Sequence, residues 1–287
     1  MPLMNITDET GDMAPDHSQK TPLKANKLLT RVLSALVMLP IAVFIILGGG
    51  IPYFILITLL TILIISEWNG ICEDKPLSLL FAVQTVSAVL LLVEINWGSP
   101  YVMVSLASSL VAIVAVSFLV KAKVIWAIAG FLYALVPSAA FLLIGENIGG
   151  QVVLWMMIVI WSMDTGAYFV GKNIGGPKMS PTISPNKTWS GLIGGAITAM
   201  IVGYLYARFL GDQNILLFKD ATILLILSGL FAILSQIGDL AESAVKRKFA
   251  VKDSGSIIPG HGGVMDRVDG VLFVAPAVLA VAYMLYA

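Results

Sequence analysis

Apolar residues run in long uninterrupted blocks along this chain, with short polar connections between them. The blocks fall at about 32–48, 51–67, 77–95, 101–120, 124–144, 151–170, 189–209, 221–245 and 270–286. Each is close to the ~20 residues that an α-helix needs to cross a bilayer. A half-wetted strand would alternate apolar and polar positions, and these blocks do not. In lipid only helices and closed barrels satisfy every backbone polar group. The expectation is an all-α, polytopic membrane protein of about nine transmembrane helices. Gly48, Gly49 and Gly50 leave a very short turn after the first block, so a re-entrant pair of segments is the alternative there.

Composition supports the lipid environment. Of the 287 residues, 58% are hydrophobic and 12% charged, against about 25% charged in a soluble domain. Mean hydropathy is +0.94. The single cysteine, Cys72, excludes an intramolecular disulfide framework and a cysteine-based zinc site. Residues 1–30 form a polar tail rather than a signal peptide, because no apolar block begins before about Leu33. Net charge is zero, but its distribution is not even. If the tail and every second loop share one side, that side holds all of the 17 basic residues except Arg208 and Lys219. By the positive-inside rule it is the cytoplasmic side. The two longest polar loops, 171–188 and 246–269, then both face the cytosol.

Three polar clusters lie at that face. In the first, Asp239, Glu242 and Lys246 are spaced i, i+3 and i+7 and share one helix face, flanked by Ser235 and Ser243. An acid at mid-span costs about 2.5–3.5 kcal/mol by insertion scales, so these should face protein or water. A plain Glu242–Lys246 salt bridge is the bland alternative for Glu242. The second cluster is Lys252-Asp253-Ser254-Gly255, then Pro259-Gly260-His261-Gly262-Gly263 and Asp266-Arg267-Val268-Asp269. Glycines let backbone N–H groups approach a phosphate. His261 among them is not a core histidine. Asp266 and Asp269 at the entry to the last helix would suit a hard divalent cation. The third cluster runs from Asp164-Thr165-Gly166-Ala167-Tyr168 to Ser184-Pro185-Asn186-Lys187-Thr188, with donors suited to phosphate oxygens. Elsewhere polarity reads as bland. Glu67, Glu73, Asp74 and Lys75 mark the edges of a short loop. Trp68, Trp97 and Trp126 read as aromatic-belt anchors, and Gly191 and Gly195 as a close helix-packing step.

The stretch 243–269, from Ser243 and Lys246-Arg247 through Lys252-Asp253 and Pro259-Gly260-His261-Gly262-Gly263 to Asp266-Arg267-Val268-Asp269, resembles the defining pattern of phosphatidate cytidylyltransferases. The likeness extends to Asp164-Thr165-Gly166-Ala167-Tyr168 and to 184–188, and so covers roughly 160–270. Gly176 and Ser190 depart from it, since the family often has a basic residue at the first position and an acid or Gln at the second.

The resemblance implies transfer of CMP from CTP to phosphatidate, giving CDP-diacylglycerol and pyrophosphate in phospholipid synthesis. It implies Mg²⁺, with a second, monovalent cation left open, and a homodimer in a bacterial-type inner membrane with its site facing the cytoplasm. No nucleic acid partner is implied. The expected catalytic residues are Asp239, Asp266, His261, Lys246 and Arg267. Lys187, Ser184, Thr188, Arg247, Lys252, Gly262 and Gly263 would bind substrate phosphates. Asp239 and Asp266 would hold the metal, helped by Asp269 or Asp164. The chain divides into the cytoplasmic tail (1–30), N-terminal transmembrane helices (31–150) and a C-terminal catalytic transmembrane region (151–287). A transporter with Asp164, Asp239 and Glu242 on an ion path is the competing class, a non-catalytic scaffold the third, and transfer to another lipid phosphate a close variant.

Overall fold

The computed structural model describes residues 23–210, 221–255, 257 and 262–286. Among them the chain forms nine helices: α1 (Leu23–Gly48), α2 (Gly50–Glu73), α3 (Leu79–Asn96), α4 (Val102–Val120), α5 (Val124–Asn147), α6 (Gly150–Ile174), α7 (Trp189–Leu210), α8 (Ala221–Lys248) and α9 (Met265–Tyr286). Eight are long and apolar enough to cross a membrane, and α1 adds the shorter apolar stretch Leu36–Gly48. The protein is therefore an all-α polytopic membrane protein, as its apolar blocks require. A helix fills each block, and α1 and α2 are separate helices.

The helices outrun the apolar blocks at several ends. Helix α1 begins at Leu23, inside the expected tail, and α2 continues to Glu73. Helix α9 begins at Met265 rather than near 270, so Asp266 and Asp269 lie in its first turns. Hydropathy marks where a helix meets lipid. Backbone i→i−4 bonding continues past that point wherever polar side chains find protein partners. A second departure from an all-helical chain is a small antiparallel hairpin, β1 (Lys178–Ser180) and β2 (Ser184–Thr188), with Lys178 opposite Thr188 and Ser180 opposite Ser184. Both strands are edges, which tolerates Pro185 within β2.

Small residues set the close crossings around the C-terminal helices. A Cβ on Gly195 would lie 2.7 Å from the Met163 carbonyl oxygen, and one on Gly191 would lie 2.9 Å from that of Ala167. Helices α6 and α7 thus meet backbone to backbone, as the Gly191/Gly195 spacing suggests. On α8, a Cβ at Gly238 would lie 2.9 Å from the Asp269 carbonyl oxygen of α9. That contact brings the polar stripe of α8 against the start of α9. In the N-terminal half, Trp68 is 4% exposed. Its Nε1 donates to the Trp126 carbonyl at 2.9 Å, and its ring packs 5.0 Å from Tyr133. Trp68 is a core residue and not a belt anchor, because α2 carries it inward where Gly130 makes room: a Cβ there would meet Trp68 at 2.2 Å.

Candidate active site

The site is built on the polar stripe of α8. Helix α8 runs to Lys248, so Asp239, Glu242 and Lys246 stay on one helical face. Glu242 is 1% exposed and Lys246 8% exposed. The Lys246 ammonium donates to Glu242 Oε1 at 2.9 Å and to Asp266 Oδ1 at 2.6 Å. From α5, the Tyr133 hydroxyl donates to Glu242 Oε2 at 3.3 Å. The bland Glu242–Lys246 pair is therefore real, and it does more than close a helix end. It aims a buried cation at Asp266. Removing one partner of such a buried pair costs about 3–5 kcal/mol, because the other charge stays buried and uncompensated.

Asp266 joins α8 to the loop before α9. Its Oδ2 accepts Ser254 N–H at 3.0 Å and Gly263 N–H at 3.2 Å. The same loop is held from a third direction by Glu67 of α2, which is 4% exposed. Glu67 Oε1 accepts Val264 N–H at 2.7 Å, and Oε2 accepts Met265 N–H and the Ser254 hydroxyl, each at 2.8 Å. One hydrogen-bonded chain thus runs through Tyr133, Glu242, Lys246, Asp266, Ser254 and Glu67. There is no space in it for a side chain at 263: a Cβ there would lie 1.9 Å from Ser254 Oγ and 2.7 Å from Glu67 Oε2. Gly262 has φ +88, a conformation that favours glycine.

A second patch lies beside this chain. Lys187, at the end of β2, forms an ion pair with Asp239, whose Oδ1 also accepts the Ser243 hydroxyl at 3.3 Å. The Lys187 ammonium is shielded from solvent, and among the described residues no further acceptor meets it. Asp164 of α6 accepts Gln236 Nε2–H at 3.4 Å and feels the charges of Asp239 and Lys187. Asp269 accepts the N–H of Gly270 at 2.8 Å and lies in the field of Asp239, Glu242 and Asp164. Three carboxylates, Asp164, Asp239 and Asp269, meet one lysine here, Lys187, so the patch has a surplus of acidic groups.

A sequence profile described as Cytidylyltransferase family matches residues 29–285, nearly the whole chain. The chain belongs to that family. Among its curated relatives is a phosphatidate cytidylyltransferase of Brucella suis biovar 1 (strain 1330), 34% identical over 267 residues, covering 87% of this chain and 91% of that protein. Another is the phosphatidate cytidylyltransferase of Staphylococcus aureus (strain COL), 34% identical over 260 residues, covering 87% and 95%.

The residues that carry the cytidylyltransferase resemblance do not all stand alike. Asp164, Lys187, Asp239, Lys246, Asp266 and Asp269 gather in the two patches above. Thr188 is 4% exposed. It caps α7, its Oγ1 accepting Gly191 N–H at 3.1 Å. Ser184 sits in β2 opposite Ser180. Arg247 ties the hairpin to the end of α8, its Nε donating to the Ile183 carbonyl at 3.4 Å and its guanidinium to the Val251 carbonyl at 3.2 Å. Lys252 is exposed in the loop, and Arg267 is exposed on α9. His261 lies outside the described residues. At the two departures from the family pattern, Gly176 has φ +104, and the Ser190 hydroxyl donates to the Gly175 carbonyl.

Two residues of the network were not singled out by sequence. Tyr133 gives no signal within an apolar helix. Glu67 does give one: Trp68-Asn69-Gly70-Ile71-Cys72 extends the helical run beyond it, so the acid is not at a loop edge and needs a partner.

The fit of a metal can be read from the acids. Among the described residues no three of His, Cys, Asp and Glu stand close enough together to hold an ion by themselves. Mg²⁺ rarely asks for that, being held by one or two carboxylates plus substrate phosphates and water. Asp266 has both oxygens engaged. Among the described residues Asp164 and Asp269 each accept one N–H and keep lone pairs free, and both lie in the field of Asp239. The surplus negative charge suits a divalent cation at that point.

Proposed function

We propose that this chain transfers CMP from CTP to phosphatidate, giving CDP-diacylglycerol and pyrophosphate, at the cytoplasmic face of a bacterial-type inner membrane. The observation that carries the reading is the shielded Lys187 ammonium, with donors to spare, beside surplus carboxylates and next to the loop anchored by Asp266. That arrangement suits the joining of two phosphate-bearing substrates. The names of the curated relatives give the substrates their identity.

An oxygen of the lipid phosphate attacks the α-phosphorus of CTP. A new P–O bond forms there, the bond from the α-phosphorus to the bridging oxygen breaks, and pyrophosphate leaves with that oxygen. The nucleophile is already an anion, so no strong base is needed. The barrier lies in bringing two polyanions together, and preorganised cations lower it. Lys187 meets a phosphate with its unused donors while Asp239 holds the ammonium in place through their ion pair. Lys246, fixed between Glu242 and Asp266, holds Asp266 in place. Asp266 positions the loop, so that Gly262 and Gly263 lie close to the bound phosphates. Asp269 and Asp164, which keep lone pairs free, would hold Mg²⁺ together with substrate phosphate oxygens, and when bound it would supply charge neutralisation at the leaving group. An ion path across the membrane gains no support at Glu146 on the far face, which accepts Gly50 N–H.

Purified protein in detergent, given labelled CTP, phosphatidate and Mg²⁺, should form labelled CDP-diacylglycerol. A chelator should stop it, and so should Asp239→Asn. Product that persists at full rate in either condition would refute the assigned chemistry.

A further inference from the structure

An apolar cleft of about 630 Å³ lies among α1, α2, α5, α6 and α9. That volume falls within the roughly 300–1,000 Å³ of sites built for small ligands. Its walls include Ala42, Leu60, Val153, Trp161 and Val268, and among the described residues the one charged residue lining it is Arg267. The hydroxyls that reach it are already bonded: Tyr53 donates to the Phe141 carbonyl, and Ser138 accepts from Thr61. The cleft therefore offers hydrocarbon along its length and a cation at one end.

The charged end adjoins the candidate active site. Ile257 and Val264, from the loop that Glu67 holds, close the cleft there. On α2 the lining residues Leu63 and Ile64 lie one turn before Glu67 and on its face. On α6 the lining residues Met157 and Trp161 are followed one turn later by Asp164 on the same stripe. Arg267 is next in sequence to Asp266. The cleft thus leads along α2, α6 and α9 to the same end as the site carboxylates.

We infer that this cleft seats an acyl chain of the lipid substrate, with Arg267 meeting its phosphate as it enters the site. The inference rests on the phosphatidate reading above and adds where the chain lies. A chain held there fixes how far the phosphate can rise, which makes the cleft a gauge of acyl length. Displacing two methylenes from it should weaken lipid binding about tenfold.

The test compares Ala42→Trp and Leu60→Trp with the parent protein. Their KM should rise about tenfold for dioleoyl phosphatidate, with dihexanoyl phosphatidate and CTP unaffected. Equal loss for long and short chains would overturn the proposal, since a general packing defect acts on both. A second arm reads binding without turnover, using phosphatidate with a diazirine on its acyl chain. It should label the peptides bearing Trp161 and Val268, and unlabelled phosphatidate should compete. If the matching phosphatidylcholine probe labels them equally, the cleft holds bulk lipid only and the inference fails. If the parent protein turns over no phosphatidate, the reaction reading fails by itself, and the labelling arm still decides the cleft.

Discussion

Replacing Glu67 by Gln isolates the link between the N-terminal helices and the loop that carries Asp266. The change keeps size and removes charge. The carboxylate accepts three donors, two from the backbone of Val264 and Met265 and one from Ser254. Glutamine has one acceptor oxygen. In its better orientation that oxygen faces Met265 and Ser254, and the amide NH₂ is then driven against Val264 N–H. The loop loses charge-assisted bonds and gains an unpaired buried donor, a cost of about 2–4 kcal/mol. Because both donors stand immediately before Asp266, the loss appears as misplacement of that residue and of Lys246. A shift near 1 Å at a reacting centre is worth about 100-fold in rate. Cytidylyl transfer in mixed micelles, read beside a thermal-unfolding curve, should therefore show kcat falling on that scale in protein that still unfolds cooperatively. Glu67→Asp, which keeps the charge but withdraws it by one methylene, should recover part of the rate. A folded Glu67→Gln protein with the parent's kcat would refute the claim that Glu67 positions the loop.

Two further outcomes follow from the same network. Gly263→Ala places a Cβ 1.9 Å from Ser254 Oγ, so its kcat should fall as for Glu67→Gln, and combining the two should cost less than the sum of both, measured in the same assay. For the Lys187–Asp239 pair, either single neutral substitution should lower the unfolding temperature, while Lys187→Met with Asp239→Leu should restore it and leave no turnover; recovery of activity in the double variant would make the pair structural only.

The membrane architecture was legible because lipid imposes one dominant rule on the chain. Each apolar block became a helix, and the Gly191/Gly195 spacing became a close crossing. Helix ends were less legible. Hydropathy registers contact with lipid, whereas α2 and α9 continue where their polar residues contact protein. That difference of a few residues moved Asp266 into a helix and Glu67 away from a loop. The hairpin at 178–188 was hidden for a related reason: its strands are short, and its pairing depends on register rather than on any apolar pattern.

The site was legible by residue type and less so by role. Periodicity put Asp239, Glu242 and Lys246 on one face, and the structure keeps them there. It gave no indication that Lys246 would be shared with Asp266, or that Thr188 would be engaged in capping α7. Those outcomes depend on where a side chain's competing partners lie in space. Glu67 shows the point most clearly. Its partners are nearly 200 positions away in sequence, and no local pattern encodes them. A buried carboxylate without a lysine or arginine in its own segment nevertheless implies distant donors, because burial without them would be too costly. Backbone N–H groups of a glycine-containing loop are donors of that kind, and they need no charged partner in the sequence. The C-terminal segment therefore carries the reacting groups, while its geometry depends on Glu67 and Tyr133 from the first half of the chain.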